Sequence, residues 1–175
     1  LKKLKADFVF NLVDSKKMEL EIARILERLR IPYSGSSFRA IQTSNNKIKT
    51  KQVFAKNLLP TPSFTIIRLG ERLSRSMIPG KFPLIVKPAF EHCSIGITDN
   101  SVVTNYEHFK KIVLSLRKKH HQSLIVEEFI TGKELQVTVL ETPNKTLALP
   151  IAEIAFRSKI KNKWKVFIKG GRQAT

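Results

Sequence analysis

The sequence contains a single cysteine, Cys93, among its 175 residues. One thiol cannot form an internal disulfide or a cysteine-based zinc cluster, and cysteine-poor chains are typical of reducing compartments. Apolar runs are also short, and none approaches the ~20 residues that span a bilayer. Residues 1–5 are not followed by the apolar core of a signal peptide. We therefore expect a soluble, cytoplasmic protein with no membrane segment.

Acidic residues are few, with 14 aspartates and glutamates against 32 lysines and arginines, and the formal net charge is +18. This charge allows nucleic acids, anionic lipids and phosphate-bearing ligands as partners without choosing among them. The stretch 157–172 holds seven basic residues and no acid, and its first five basic residues alternate as in a strand. A solvated edge strand protected by lysines is the simpler interpretation, and a phosphate-facing role is the alternative. Only Trp164 and Phe167 are interleaved with these charges, so base stacking on nucleic acid is not indicated.

Hydrophobic periodicity predicts alternating helices and short strands. Helices are predicted over residues 16–30, 45–58 with Ser44 as its cap, and 106–119. Strands are predicted over residues 7–13, 64–67, 84–87, 124–129, 134–141 and 146–156, the last two forming a hairpin. This order of elements indicates an α+β fold, built as antiparallel sheets with packed helices and divided into two subdomains.

Lys87 ends an apolar predicted strand and precedes a polar loop over residues 88–96. A lysine in this place is either an edge residue with its ammonium in water or a buried cation that holds an anionic ligand. Backbone amides around Ser94 and Gly96 could wrap a phosphate beside it. The sequence contains no Walker-type or dinucleotide-binding glycine motif, so the loop is not one of the standard phosphate cradles.

Three carboxylates, Glu127, Glu128 and Glu134, lie within eight residues at a predicted strand-to-strand connection. Paired acids beside a turn are usually solvated surface. In so basic a chain they could instead present carboxylates and backbone groups to a planar heterocycle and its ribose. The adjacent His92 and Cys93 do not indicate a nucleophile and its base, because such groups normally meet through the fold. The four histidines show no metal-ligand spacing.

Five ordered motifs of the chain, taken together, resemble the ATP-grasp superfamily and within it the D-alanine–D-alanine ligase group. The second motif is Ile-Pro-Tyr-Ser-Gly-Ser, where the family has Ile-Pro-Tyr-Thr-Gly-Ser, and the fifth includes Val-Glu-Glu-Phe-Ile-Thr-Gly-Lys-Glu. The motifs cover residues 9–13, 31–36, 47–62, 82–89 and 124–134. The resemblance spans about residues 7–153 and is loose beyond Phe156.

The resemblance implies a partial ATP-grasp fold in which ATP is clasped between two antiparallel sheets. Two lysines contact the phosphates in that family, and Lys47 and Lys87 stand at their positions. Ser94 and Gly96 remain from the family's phosphate loop. Lys163, which precedes a tryptophan, matches a further phosphate-contacting lysine in the region that closes over the phosphates.

The resemblance also implies how the nucleoside and the substrates are used. Glu127 and the backbone of Glu128 and Ile130 would meet the adenine, and Glu134 would meet the ribose hydroxyls. The implied reaction is phosphorylation of a carboxylate by ATP, followed by attack of an amine on the acyl phosphate, with Mg²⁺ stabilising the transferred charge. The partners would be ATP and an amino acid or dipeptide, in peptidoglycan biosynthesis, with a homodimer as the full-length state.

The chain departs from the family at three places. His92 and Cys93 stand where the family's Glu-Gly-Ser-Ser-x-Gly loop has Gly-Ser, and Asn46 replaces a common aspartate. The family's magnesium ligands would follow Thr175, and the first glycine-rich strand unit would precede Leu1. We therefore expect a fragment that does not complete ligation alone.

The expected division of this fragment has three parts, and two other functions stay open. Residues 1–44 would end a preceding α/β unit, 45–131 would form the central ATP-grasp subdomain, and 132–175 would begin the carboxy-terminal subdomain. One alternative function is another ATP-grasp ligase with a different amino-acid or peptide acceptor. The other is a degenerate, non-catalytic module that binds nucleotide or nucleic acid.

Overall fold

The computed structural model describes residues 6–142 and 144–155. The helices in this part of the chain are α1 (Lys16–Leu29), α2 (Phe38–Ser44), α3 (Lys47–Lys56) and α4 (Tyr106–His120). The strands are β1 (Phe64–Ile67), β2 (Leu84–Pro88), β3 (Val102–Val103), β4 (Leu124–Glu128), β5 (Glu134–Gln136), β6 (Val139–Glu141), β7 (Thr146–Ala148) and β8 (Ala152–Ile154). None of the described helices is long and apolar enough to cross a membrane.

A four-stranded antiparallel sheet, in the order β1-β4-β2-β3, carries the core. Val86 on β2 pairs with Val126 on β4, and both are fully buried beneath Phe109 and Val113 of α4. Successive side chains of a strand point to opposite faces. The face away from α4 therefore carries the remaining side chains of β2 and β4, including Ile85, Lys87, Ile125 and Glu127. The predictions of β1, β2, β4 and α4 are confirmed.

The amino-terminal helices agree only in part with the prediction from the sequence. The prediction of α1 is confirmed, and the helix ends at Arg30 in the left-handed conformation, with φ 56°. Glu27 then joins α1 to α2, because its Oε1 accepts hydrogen bonds from the Phe38 N–H at 2.7 Å and from the Tyr33 hydroxyl at 3.0 Å.

The helix predicted over residues 45–58 with Ser44 as its cap is wrong in its start. Ser44 is instead the last residue of α2, a helix that the sequence did not predict. The chain then begins α3 at Lys47, where the Asn46 side chain accepts from the Lys49 N–H at 3.1 Å. Asparagine and aspartate are equally good N-caps, so the aspartate-to-asparagine departure at position 46 preserves the cap.

The strand predicted over residues 7–13 does not form. Val9 alone makes a parallel bridge, to Tyr33. Its N–H donates to the Pro32 carbonyl at 2.9 Å and its carbonyl accepts from the Ser34 N–H at 3.0 Å. A strand needs a neighbour along its whole length to satisfy its backbone groups, and within residues 6–142 and 144–155 this segment has one only at Val9.

The carboxy-terminal hairpin is interrupted in both of its arms. The predictions of single strands over residues 134–141 and 146–156 are wrong, because β5 pairs with β8 and β6 with β7 in separate ladders. Between the ladders, the Leu149 N–H donates to the Thr138 carbonyl at 2.8 Å. All residues of β6 and β7 are exposed.

Candidate functional site

A cavity of about 310 Å³ lies where the central sheet meets the beginning of the hairpin. Lys87, Glu127 and Glu128 line it from the ends of β2 and β4, and the connection 129–134 lines it from the hairpin side. Volumes of this size are typical of small-molecule sites. A cationic side chain, carboxylates and connecting backbone therefore converge on one opening.

Glu127 is a buried carboxylate held between two lysines. Its Oε2 lies 2.6 Å from the Lys87 Nζ, and its Oε1 lies 3.2 Å from the Lys51 Nζ. Sheet register explains the first contact, because Lys87 lies opposite Ile125 and is thus the diagonal neighbour of Glu127 on the same face. The second contact comes from α3, whose Lys51 also lies 5.3 Å from the centre of the Phe64 ring.

The ammonium of Lys51 is fixed by three oxygen atoms. Besides Glu127, it donates to the Thr61 hydroxyl at 2.5 Å and to the Pro62 carbonyl at 3.3 Å. These three acceptors match the three donors of an ammonium group. The side chain is only 9% exposed, so Lys51 is a buried structural cation rather than a solvated one.

The two lysines keep Glu127 ionised. Burial raises the pKa of the Glu127 carboxyl, but its ion pairs and hydrogen bonds with Lys87 and Lys51 lower the pKa by more. The pKa therefore lies below the ordinary value of 4.5. Glu127 therefore stands as a carboxylate at neutral pH, between the side chains of Lys51 and Lys87.

After Glu128, the last residue of β4, the chain leaves the sheet and borders the cavity. The N–H of Glu128 donates to the Ser63 carbonyl and that of Phe129 to the Pro83 carbonyl, both at 3.0 Å. Ile130 is 67% exposed and begins the connection to Glu134, the first residue of β5. The predicted residues Glu127, Glu128, Ile130 and Glu134 are thus brought together with Lys87.

Lys47, Ser94 and Gly96 lie outside the lining of this cavity, in and beside the loop that follows β2. The Lys47 N–H donates to the Ala89 carbonyl at 3.0 Å, and its Nζ donates to the Glu91 carbonyl. Lys47 thus fastens the start of α3 to the loop. The predicted site residues therefore form two neighbouring groups, one lining the cavity and one in and beside the loop, and β2 with its loop connects them.

Two successive turns form the tip of this loop. The Ile95 N–H donates to the His92 carbonyl at 3.1 Å, across Cys93 and Ser94, whose φ angles are 51° and 59°. Two central residues with positive φ define a type I′ turn. The positive φ angles fall on Cys93 and Ser94, so histidine at position 92 does not need the conformational freedom of glycine.

Gly96 is required where it stands. Its φ is 79°, and a Cβ there would lie 2.6 Å from the Pro88 Cγ and 2.8 Å from the His120 Nε2. Both the backbone angle and the space therefore select glycine. The loop packs at this point on the end of β2 and on the last residue of α4.

The remaining predicted residue, Lys163, lies outside the described residues. The described residues contain no group of three or more histidine, cysteine, aspartate or glutamate side chains suited to a metal. Glu127 is already paired with two lysines, which a hard cation would have to displace.

Residues 53–166 match the family model described as "D-ala D-ala ligase C-terminus". The chain belongs to the D-alanine–D-alanine ligase family. A D-alanine–D-alanine ligase of Bordetella pertussis is 39% identical over 131 residues, which are 74% of this chain and 40% of that protein. One of Pelobacter propionicus is 35% identical over 117 residues, 67% of this chain and 36% of that protein. The chain spans about two fifths of the length of these relatives.

Solved structures of the family share the fold. The D-alanine–D-alanine ligase of Bacillus anthracis complexed with ATP superposes with a TM-score of 0.70 at 23% identity, covering 91% of this chain and 51% of that chain. The α+β, partial ATP-grasp architecture predicted from the sequence is thereby confirmed.

Proposed function

We propose that this chain is the ATP-binding part of a ligase that joins two amino acids, with D-alanine as the first substrate. The observation that carries the proposal is the cavity itself, in which the Lys87 ammonium and the carboxylates of β4 and β5 line one opening. A nucleotide needs both kinds of group, since its phosphates require a cation and its base and ribose carry hydrogen-bond donors that require acceptors. The family relationship favours ATP as the nucleotide and D-alanine as the carboxylate to be activated.

The adenosine of ATP would be bound by β4 and the connection after it. The Glu127 carboxylate can accept from an exocyclic amine of adenine. The N–H of Glu128 is already donated to Ser63, so its carbonyl is the group we assign to the base, together with the N–H of Ile130. The Glu134 carboxylate would accept from the ribose hydroxyls, as a carboxylate is suited to two neighbouring donors.

The phosphate end would be held by Lys87 and the loop after β2. The reaction moves the terminal phosphoryl group of ATP to a substrate carboxylate oxygen and releases ADP. An amine then attacks the acyl carbon, inorganic phosphate leaves and an amide forms. In this chain Lys87 would neutralise phosphate charge, and Lys47, Ser94 and Gly96 would position the loop or contact the phosphates. Lys163 would add a further phosphate contact. It belongs to the third part of the proposed division of the chain into residues 1–44, 45–131 and 132–175.

Lys87→Ala tests the phosphate assignment. Hydrogen bonds to charged groups contribute about 1.5–3 kcal/mol, so loss of this ammonium should weaken ATP binding by about tenfold or more. Glu127 retains Lys51 in the variant, so the fold should persist, as circular dichroism would show. Lys119→Ala removes an exposed lysine of α4 and serves as the control in the same calorimetric titration. Unchanged ATP affinity in Lys87→Ala would contradict the assignment.

Phosphate release separates a ligase from a non-catalytic nucleotide binder. The full-length protein should release inorganic phosphate from ATP only when D-alanine is present, because the acyl phosphate needs a carboxylate to form. Coupled measurement of phosphate with D-alanine, L-alanine and no amino acid provides the comparison. ATP binding with no D-alanine-dependent release would leave the binding assignment intact and exclude the ligase activity.

A further inference from the structure

Lys51 and Lys87 share one carboxylate but differ in their surroundings. Lys51 is 9% exposed in its side chain and has oxygen partners for all three of its donors. Lys87 is 20% exposed, lines the cavity and is paired with Glu127 through a single 2.6 Å contact. One cation is therefore fixed in the protein and the other lies at the edge of the ligand space.

A phosphate that enters the cavity competes with Glu127 for Lys87. If Lys87 turned to the phosphate and no second cation were present, a carboxylate would remain buried without compensation, which is a costly state. Lys51 removes this cost, because its contact with Glu127 Oε1 does not depend on Lys87. The Oε2 atom that Lys87 leaves is then available to a donor of the bound nucleotide.

We infer that Lys51 is a positioning residue that keeps Glu127 ionised while Lys87 exchanges its carboxylate partner for a nucleotide phosphate. This inference rests on the proposed ATP site. It assigns separate tasks to the two lysines: Lys87 contacts the ligand, and Lys51 acts on the ligand only through Glu127. The charged groups that face Glu127 and carry this exchange are Lys51 of α3 and Lys87 of β2.

Lys51→Met tests the inference in the full-length protein. The variant should bind ATP at least about tenfold more weakly than the wild type, because release of Lys87 now leaves Glu127 without a cation. Calorimetric titrations in buffers of different ionisation enthalpy should also show proton uptake on ATP binding beyond that of the wild type, as Glu127 becomes protonated. Lys49→Met is the matched control, since Lys49 is an exposed residue of the same helix.

A second experiment, in a variant that lacks the Glu127 carboxylate, separates this role of Lys51 from simple structural support. In Glu127→Gln there is no buried carboxylate for Lys51 to compensate when Lys87 turns to the phosphate, so adding Lys51→Met should no longer weaken ATP binding. The comparison of Glu127→Gln with the double variant also remains informative if Lys51→Met alone does not fold. Lys51→Arg, which retains the charge, should bind ATP without the additional proton uptake.

Three results would overturn the inference. They are wild-type ATP affinity in Lys51→Met, a loss of affinity with no additional proton uptake, and an equal loss in the Glu127→Gln background. Each of these can occur while the wild-type protein binds ATP and Lys87→Ala does not, in which case the proposed site stands and only the role of Lys51 fails. If the wild-type protein does not bind ATP, both the proposed ATP site and the role of Lys51 are contradicted.

Discussion

Two ammonium groups stabilise the Glu127 carboxylate in its buried position. Removing one side of a buried ion pair generally costs more than the pair itself contributes, since a charge is left without its partner. Lys51 and Lys87 would each be left in that condition by neutralisation of Glu127. The stability of the sheet and the charge of the cavity therefore depend on the same residue.

Glu127→Gln should lower the free energy of unfolding by about 3 kcal/mol at pH 7, because both lysines lose their carboxylate. The pKa of Glu127 in the folded state lies below 4.5, so its stabilising contribution is complete above about pH 4.5 and is lost as the pH falls through the folded-state pKa. Urea unfolding of wild type and variant at pH 7, 5 and 3 measures the difference.

The difference between the two proteins should shrink only below about pH 4.5, following the ordinary pKa of a glutamate. Glu107→Gln is the appropriate control, because Glu107 forms an exposed i,i+3 pair with Lys110, and such surface pairs contribute little. A pH-independent difference between wild type and Glu127→Gln would show that ionisation of Glu127 does not stabilise the fold.

Lys51 shows why part of the site could not be predicted from the sequence. A lysine on an amphipathic helix is ordinarily solvated, and Lys47 was the residue that the family resemblance singled out. The burial of Lys51 depends on Glu127, which lies 76 positions later in the chain, and on the path of the chain through Pro62. Lys87 and Glu127, by contrast, line one cavity because adjacent strands carry them.

At the scale of secondary-structure elements, predictions succeeded where a regular apolar pattern meets a buried partner. α1, α4, β2 and β4 each place buried side chains against the rest of the chain, so the pattern needed for packing is visible in the sequence. α2 has no buried residue, and its start depends on the Ser37 side chain, which accepts from the Ala40 N–H at 3.2 Å.

The interrupted hairpin shows that a regular pattern can also predict a strand that is too long. Residues 134–141 alternate apolar and polar side chains as one strand would, yet the ladder breaks near Thr138. Alternation reports which residues could share a face, but it does not report whether the backbone of a partner strand continues alongside. The break follows from the path of both arms together, which no local pattern contains.

Gly96 and Gly70 offer a matched test of loop packing. Their φ angles are 79° and 81°, but a Cβ at Gly96 would meet Pro88 and His120 closer than 3 Å, whereas a Cβ at Gly70 would meet nothing within 4 Å. Gly70→Ala should cost about 1 kcal/mol of stability through backbone strain alone. Gly96→Ala should cost about 1–3 kcal/mol more, because overpacking is added.

Chemical denaturation of the two glycine variants gives this difference directly, since the backbone contribution is common to both. Equal destabilisation would mean that the loop shifts away from Pro88 and His120 without cost. Amide exchange at Ile95 and Ile97 should rise in Gly96→Ala, as their N–H groups close the two turns of the loop.

At the scale of the whole molecule, buried surface is distributed unevenly. The strands β2 and β4 are almost entirely buried, whereas β5–β8 contain exposed or half-buried residues throughout. Regions with little buried apolar surface open locally at low free-energy cost. In the 175-residue chain, amides of β5–β8 should therefore exchange at least about 100-fold faster than those of β2 and β4.

Hydrogen exchange followed by mass spectrometry can resolve these two groups of strands. Peptides that cover residues 84–88 and 124–128 should retain protection long after peptides that cover 134–154 have exchanged. Uniform protection across both groups would indicate that the hairpin and the central sheet unfold as one cooperative unit.

The loop after β2 is fastened at its base, and this has a consequence for sequence variation. The Ala89 N–H donates to the Ser123 carbonyl at 3.0 Å, and the Phe90 N–H donates to the Gln122 Oε1 at 2.7 Å. Neither bond uses the tip, 92–95, so mutations there can accumulate with little effect on folding. A randomised library at the tip should consist mainly of folded proteins, enriched at positions 93 and 94 in residues that tolerate positive φ, such as glycine and asparagine. The base thus makes the tip a segment in which ligand contacts can diversify while the scaffold is retained.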